Sequence, residues 1–286
     1  MKKYDVILLG GDGFIGSYFY KKYKKKINIF RVKKNFGDLK KKSVWKKLPR
    51  SKVLLNLASK VFVPKSWCEI DKFINNNVQI TLNSLVFCKK YKTKNIYVSS
   101  YLYGDADIPT KEKQKICVNN PYSLSKKIGE DLCKFFSDFL NVKSIILRPF
   151  NIYGPNQDKR FLIPSILSQV RKKTLSINDL RPARDLLYVD DFCKLLFKIL
   201  KFQKKFSIYN VGSGKSYSIR VIIQTIEKLV GYKLKIYNKK IFRKNEIFKT
   251  QADIHKVKKN FKWRPETNLF YGLKKIFYEK FSYRCS

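Results

Sequence analysis

Tyr122 and Lys126 stand four residues apart in "NNPYSLSKKIGED". On a helix, positions i and i+4 share a face, so an ammonium there lies along the phenol and favours its ionised form. A phenol tuned in this way is an acid and base suited to moving the proton of an alcohol. The same spacing recurs at Tyr18/Lys22 and Tyr20/Lys24, so position has to separate them. Only Tyr122 follows a good helix cap, Asn120, and a proline suited to the first turn, Pro121. Upstream, "VSSYLYG" closes an apolar run and supplies Ser99, whose hydroxyl suits a hydrogen bond to the same reacting oxygen.

A second constellation lies near the start, in "GGDGFIG". Gly10, Gly13 and Gly16 are spaced G-x-x-G-x-x-G between an apolar run at 4 to 9 and an amphipathic stretch at 14 to 26. Glycine fits where the chain turns with positive φ or lets a ligand approach its backbone. A glycine-rich turn that opens a helix presents free N–H groups to an anion, so the expected ligand is a dinucleotide pyrophosphate. An acidic residue at the end of the second strand would hold a ribose 2′-hydroxyl, and a basic one a 2′-phosphate. "INIFRVKK" offers Arg31, Lys33 and Lys34 and no acid, which tilts the expectation from NAD towards NADP.

These groups need a frame. Short β-branched apolar runs at 4 to 9, 27 to 32, 52 to 57, 95 to 100 and 143 to 148 alternate with amphipathic stretches, notably 14 to 26, 69 to 91 and 123 to 140. That alternation predicts an α/β fold with a doubly wound parallel sheet. After about residue 150 it loosens, with helices expected at 161 to 173, 190 to 202, 218 to 230 and 267 to 280 and strands near 207 to 211 and 234 to 238. A smaller second lobe fits that change.

Composition narrows the class. The 286 residues carry 63 Lys and Arg against 21 Asp and Glu, a net charge of +42. The lysines are spread through every segment, as a compositional bias would spread them, so non-specific adhesion to polyanions is expected and a specific nucleic-acid partner is not. Six cysteines without a C-x-x-C pair and one histidine, His255, leave no metal cluster and point to reduced thiols in the cytoplasm. No apolar run is long enough to span a membrane.

The motifs together resemble the extended short-chain dehydrogenase/reductase family, in its nucleotide-sugar epimerase, dehydratase and reductase branch. The resemblance runs through "GGDGFIG", "NLAS", "NNNV", "VSSYLYG", "PYSLSK", "LRPFNIYGP", "RDLLYVDD", "YNVGSG" and the tail from Arg243 to Pro265, in that order. It implies a Rossmann domain over 1–150, to which some later segments return, and a mainly sugar-nucleotide-binding lobe over 151–286. It also implies that Tyr122 is the acid/base, that Lys126 binds the nicotinamide ribose and tunes Tyr122, and that Ser99 holds the sugar oxygen. Gly10, Gly13, Phe14, Ile15, Gly16, Arg31, Leu57, Ala58, Asn76 and Phe150 would line NAD or NADP, with Asp38 and Leu39 beside the adenine. Asn151, Arg184 and Arg243 would contact the diphosphate of the substrate, and a homodimer built on two helices per subunit is expected.

The resemblance also limits the reaction. Its dehydratases carry Asp-Glu directly after the serine or threonine, where this chain has Ser100 and Tyr101. Its 3,5-epimerase/reductases use a cysteine two residues after the serine and a histidine in the substrate lobe, whereas here Tyr101 replaces the first and the sole histidine lies in the tail. A C4 epimerase is the expectation, with an NADPH-dependent 4-keto-6-deoxy-sugar reductase as the alternative and a non-catalytic NAD(P)-binding module as the third reading.

Overall fold

The computed structural model describes residues 4–242 and 245–282, and the chain forms two compact units. The first comprises Met1–Gly104, Lys115–Pro149 and Leu196–Asn210. Its sheet contains β1 (Tyr4–Leu9), β2 (Ile29–Arg31), β3 (Ser51–Asn56), β4 (Lys94–Val98), β5 (Ser144–Pro149) and the strand Phe206–Val211. Their spatial order is β2, β1, β3, β4, β5 and then Phe206–Val211, and the pairs from β2 to β5 are parallel. Val6 stands opposite both Ile29 and Val53, which fixes the register at the middle of the sheet. Val6, Ile7, Leu8 and Leu9 are all fully buried, as strands covered on both faces require. The strand order reverses between β1 and β3, and ligands of open parallel sheets bind outside the strand ends at such a reversal.

Two long helices cover this unit, Ile70–Tyr91 and Pro121–Leu140, and they pack against each other. Ile70–Tyr91 buries Phe73, Ile80, Leu85, Phe87 and Cys88 along one face and stops where Lys92 turns left-handed. Pro121–Leu140 begins with a reciprocal cap: Ser123 N donates to Asn120 Oδ1 at 2.8 Å and Asn120 N donates to Ser123 Oγ at 3.2 Å. Pro121 fills the first turn, and Asn141, with φ 56°, ends the helix. Caps of this kind contribute about 1 kcal/mol each, and here the cap also fixes where Tyr122 begins.

The second unit comprises Asp105–Gln114, Phe150–Leu195 and Val211–Ser286. Asn151–Tyr153 pairs parallel with Ala183–Tyr188, which pairs antiparallel with Ser216–Ser218, while Thr174–Ile177 pairs parallel with Lys235–Asn238. Helices Leu162–Gln169, Ile219–Val230, His255–Phe261 and Leu269–Ser282 accompany these strands. Four of the five strands lie where the sequence pattern predicts none. Ala183–Tyr188 shows why: Arg184 and Asp185 interrupt its apolar pattern, yet Asp185 is fully buried. Its carboxylate accepts from Ser213 N (2.6 Å), Ser213 Oγ (2.7 Å), Gly214 N (3.0 Å) and Ala252 N (2.9 Å), so local donors replace water. The expected helix 161 to 173 is shorter, Leu162–Gln169, and tightens into a 3₁₀ turn over Val170–Lys172.

One close contact sets the distance between the helix Pro121–Leu140 and β4. Tyr97 of β4 reaches under the helix, its hydroxyl donates to Lys126 O at 3.4 Å, and a Cβ at Gly129 would fall 2.6 Å from Tyr97 Cζ. Gly129→Ala is therefore expected to push the helix off the sheet and lower stability by ~1–3 kcal/mol. Urea denaturation checks this, and an unchanged midpoint would mean that the helix has room to spare.

Candidate active site

Gly10, directly after β1, has φ +71°, and a Cβ there would stand 2.8 Å from Ala58 N and Leu57 C. The glycine thus lets the end of β1 lie against the segment leaving β3. Gly13 caps the helix Phe14–Tyr23 without a side-chain hydrogen bond, so the first-turn N–H groups have no side-chain acceptor at the cap. Gly16 is held against Gly10 O, and a Cβ at Gly13 would meet only Gly10 O, at 3.2 Å. Gly13 itself is exposed while Phe14 and Ile15 are half-buried. A bare, positively polarised helix end at the strand reversal fits a dinucleotide pyrophosphate.

Arg31 lies at the end of β2 across Gly11, where a Cβ would be 2.6 Å from Arg31 Cγ. Its Nε donates to Gly11 O at 3.1 Å, its Nη2 pairs with Asp12 Oδ1 at 2.7 Å, and the guanidinium lies 4.8 Å from the Tyr20 ring centre. Asp12 also accepts from Lys34 N at 2.9 Å. The lone acid of the glycine loop therefore holds Arg31, the last residue of β2, and the backbone of Lys34. Asp38 is exposed and turns its carboxylate to Lys40 N (3.0 Å), while Leu39 O accepts from Trp45 Nε1 (2.7 Å) and Asn83 Nδ2 (3.0 Å).

Asn76 lies on Ile70–Tyr91 and donates through Nδ2 to Asn77 Oδ1 at 3.2 Å. Asn77 is the better-connected neighbour, and the motif reading passed over it. Buried at 2% exposure, it accepts from Lys60 N (2.9 Å) and donates to Lys60 O (3.1 Å) and Ser125 Oγ (2.8 Å). One amide thus joins the segment after β3 to the helix that carries Tyr122.

Tyr122 and Lys126 share a face of that helix, with Lys126 Nζ 5.9 Å from the Tyr122 ring centre and 5.1 Å from that of Tyr97. Nζ donates to Val98 O at 2.9 Å, and Lys126 is only 4% exposed. Lys24, in the equally spaced Tyr20/Lys24 pair, is exposed, so burial separates patterns that spacing cannot. Of the two serines of "VSS", Ser100 is the one tied to this pair. The Ser100 hydroxyl is hydrogen-bonded to Tyr122, whereas Ser99 Oγ is buried without a hydrogen-bond partner and Ser99 N donates to Leu147 O at 2.8 Å. Ser100 is thus a contact of the phenol that the motif reading had placed only as a substitute for a dehydratase acid.

Burial pushes the Tyr122 phenol up to about 12, against the pull of Ser100. The same burial pulls Lys126 down to about 7, opposed by the charge of Glu130 one turn further on and by Cys133. In the second unit, Phe150 is buried and donates its N–H to Val211 O at 2.8 Å, and Asn151 Nδ2 donates to Asp185 O at 3.3 Å. Arg184 pairs with Glu246 and donates through Nη1 to Ile247 O at 2.7 Å. Arg243 lies outside the described residues.

Comparison with known proteins agrees with this architecture. The model of the NAD dependent epimerase/dehydratase family matches residues 6–212. A putative UDP-glucose 4-epimerase of Methanocaldococcus jannaschii is 30% identical over 210 residues, covering 70% of this chain and 67% of its own. A GDP-6-deoxy-D-mannose reductase of Pseudomonas aeruginosa is 27% identical over 256 residues, covering 85% and 82%. The solved structure of MoeE5 in complex with UDP-glucuronic acid and NAD superposes with a TM-score of 0.89 at 22% identity, covering 97% of this chain and 99% of its own. The chain belongs to the NAD-dependent epimerase/dehydratase family, the extended short-chain dehydrogenase/reductases that act on nucleotide sugars with NAD or NADP. Among the described residues no helix is long and apolar enough to cross a membrane, and no cluster of side chains suits a metal ion.

The depressed Lys126 has a measurable consequence. Its proton is held more weakly in the folded chain than in the unfolded one, so stability rises as pH climbs from about 7 towards the ordinary lysine value of ~10.4. Lys126→Met is expected to flatten that part of the melting-temperature profile relative to the parent. Parallel profiles for the two proteins would show that Lys126 keeps an ordinary proton affinity.

Proposed function

We propose that this protein inverts the C4 configuration of a nucleoside-diphosphate sugar by transient oxidation. The observation that supports it is the buried Lys126 beside a half-buried Tyr122 that is hydrogen-bonded to Ser100, with no carboxylate at position 100 or 101. Such a set moves a proton and supports hydride transfer, but lacks the adjacent acid for eliminating water. A nicotinamide bound here would supply a reversible hydride acceptor. Tyr122 takes the proton of the sugar hydroxyl and gives it back; Lys126 favours the ionised phenol and binds the nicotinamide ribose. Ser99 holds the sugar oxygen, and Ser100 steadies the phenol.

Gly10, Gly13, Phe14, Ile15 and Gly16 form the pyrophosphate cradle in this reading, Leu57, Ala58, Asn76 and Phe150 line the rest of the dinucleotide, and Asp38 and Leu39 lie at the adenine. Asn151, Arg184 and Arg243 take the substrate diphosphate, for which forked guanidinium donors are suited. The setting is cytoplasmic, in keeping with Cys68, Cys88, Cys117 and Cys133, which form no disulfide among the described residues.

Arg31 favours a second reading, an NADPH-dependent reductase of a nucleotide 4-keto-6-deoxy sugar. Fixed at the end of β2 by Gly11 and Asp12, and followed by Lys33 and Lys34, it supplies charge for a 2′-phosphate and no acid for a 2′-hydroxyl. Mass analysis of the dinucleotide released on denaturation separates the two readings, together with turnover on UDP-glucose, on UDP-glucuronate, and on GDP- and dTDP-4-keto-6-deoxy sugars with NADPH. Stoichiometric NAD with C4 inversion supports the epimerase; loosely held NADP(H) with reduction supports the reductase. In either case Tyr122→Phe is expected to lower turnover by at least 10²-fold while dinucleotide binding stays within twofold, and full activity of that variant would end the assignment.

The homodimer belongs to the same proposal. Phe135 (52% exposed) and Phe139 (72% exposed) on Pro121–Leu140, with Val86 (50% exposed) on Ile70–Tyr91, give the two helices apolar outer positions. Sedimentation equilibrium is expected to find a dimer that Phe139→Glu weakens at least tenfold; a parent that sediments as a monomer removes the dimer.

A further inference from the structure

Arg148 of β5 is a fully formed cation at 4% exposure. Its Nε donates to Glu130 Oε1 at 2.9 Å and its Nη2 to Glu130 Oε2 at 2.6 Å. Glu130 continues the helical row of Tyr122 and Lys126, one turn beyond Lys126, and is also 4% exposed. The remaining arm, Nη1, donates to the hydroxyl of Tyr103 at 2.7 Å, and that hydroxyl donates to Asn210 Oδ1 at 2.6 Å. Tyr103 lies in "VSSYLYG", the segment that carries the two serines. One planar guanidinium therefore grips the helix bearing the phenol with one edge and the segment bearing the serines with the other.

The geometry points to Arg148, acting through Glu130 and Tyr103, as the positioning residue that holds the Tyr122 helix and the Ser99–Ser100 segment at their working separation. This rests on the reading of Tyr122, Lys126 and the serines as the reacting set. The alternatives for those three side chains fit less well. Full burial of both charged partners gives neither of them access to a ligand, so they act on the reaction only through what they hold. A surface role is excluded by the same burial. Packing alone does not ask for a charge here, because an apolar pair of similar volume fills such a space at no greater cost.

What an apolar pair lacks is direction. A guanidinium presents its donors in a rigid fork, so fixing two acceptors on different elements fixes the angle between those elements as well as their distance. A lysine at 148 keeps the charge but has no second edge. Misplacing a proton-transfer group by a fraction of an ångström lowers the chemical step far more than it weakens binding. The Tyr103 hydroxyl is the narrowest place to cut, since Tyr103→Phe keeps the ring, which lies 5.4 Å from the Tyr101 ring, and removes only the strap.

The test compares the parent, Tyr103→Phe, Arg148→Lys and Tyr122→Phe on the nucleotide-sugar panel above, with melting temperature and dinucleotide titration alongside. Tyr103→Phe, folded at the assay temperature, is expected to lose at least tenfold in kcat while KM for the sugar nucleotide and dinucleotide affinity stay within twofold. Arg148→Lys, where it folds, is expected to lose more in the same pattern. An unchanged kcat in Tyr103→Phe beside an inactive Tyr122→Phe overturns this inference alone. A loss that falls equally on KM and dinucleotide affinity also overturns it, because the network would then only hold the unit together. Full turnover by Tyr122→Phe, or a parent inert on the whole panel, overturns the catalytic reading and this inference with it.

Discussion

The structure depends on where a chain with a net charge of +42 puts its few acids. Glu130 is the clearest case, because it is buried and accepts three hydrogen bonds from a buried Arg148. Removing one partner of such a pair leaves an uncompensated charge in the interior and costs ~3–5 kcal/mol. The pattern repeats at other junctions. Asp12 ties the basic end of β2 to the glycine loop, Asp185 collects four donors from two loops, and Asp191 accepts from Glu266 N and Thr267 N at 3.1 and 2.8 Å, docking the turn that precedes the last helix. Lysine is abundant and mostly solvated, so it adds charge without adding order. These acids join one segment to another.

This distribution explains what was legible in the sequence. The parallel sheet was legible because burial on both faces forces continuous apolar runs, and β1 to β5 fall within a residue or two of those runs. The helix bearing Tyr122 was legible because Asn120 and Pro121 are a local signal that needs no distant partner. Four of the five strands of the second unit were not, and Ala183–Tyr188 shows the reason, since the burial of Asp185 depends on donors brought from far along the chain. A window of sequence around Asp185 contains none of Ser213, Gly214 or Ala252.

The candidate site divides along the same line. Residues in motifs, such as Gly10, Tyr122 and Lys126, carry their meaning in their spacing. Asn77, Ser100, Glu130 and Arg148 carry theirs in contacts across 17 to 48 positions of chain. Spacing by helical periodicity offered one usable clue: Glu130 continues the row of Tyr122 and Lys126. Its partner on β5 was beyond the reach of any local pattern.

Burial imposes opposite demands on the two members of the proposed reacting pair. It raises the Tyr122 phenol and lowers the Lys126 ammonium, so an apolar surrounding alone would leave a neutral phenol beside a neutral amine. Such a pair could not stabilise a phenolate. Glu130 restores part of the ammonium by its charge. Glu130 in turn pairs with Arg148 at 2.6 Å, and although burial opposes the charge of Arg148, Glu130 and Tyr103 hold it firmly protonated. The sequence of charges from Arg148 through Glu130 to Lys126 is therefore ordered by burial, each one tolerated because of the next. A Lys126 brought down to about 7 and no further is the outcome of that compensation rather than of the Y-x-x-x-K spacing alone.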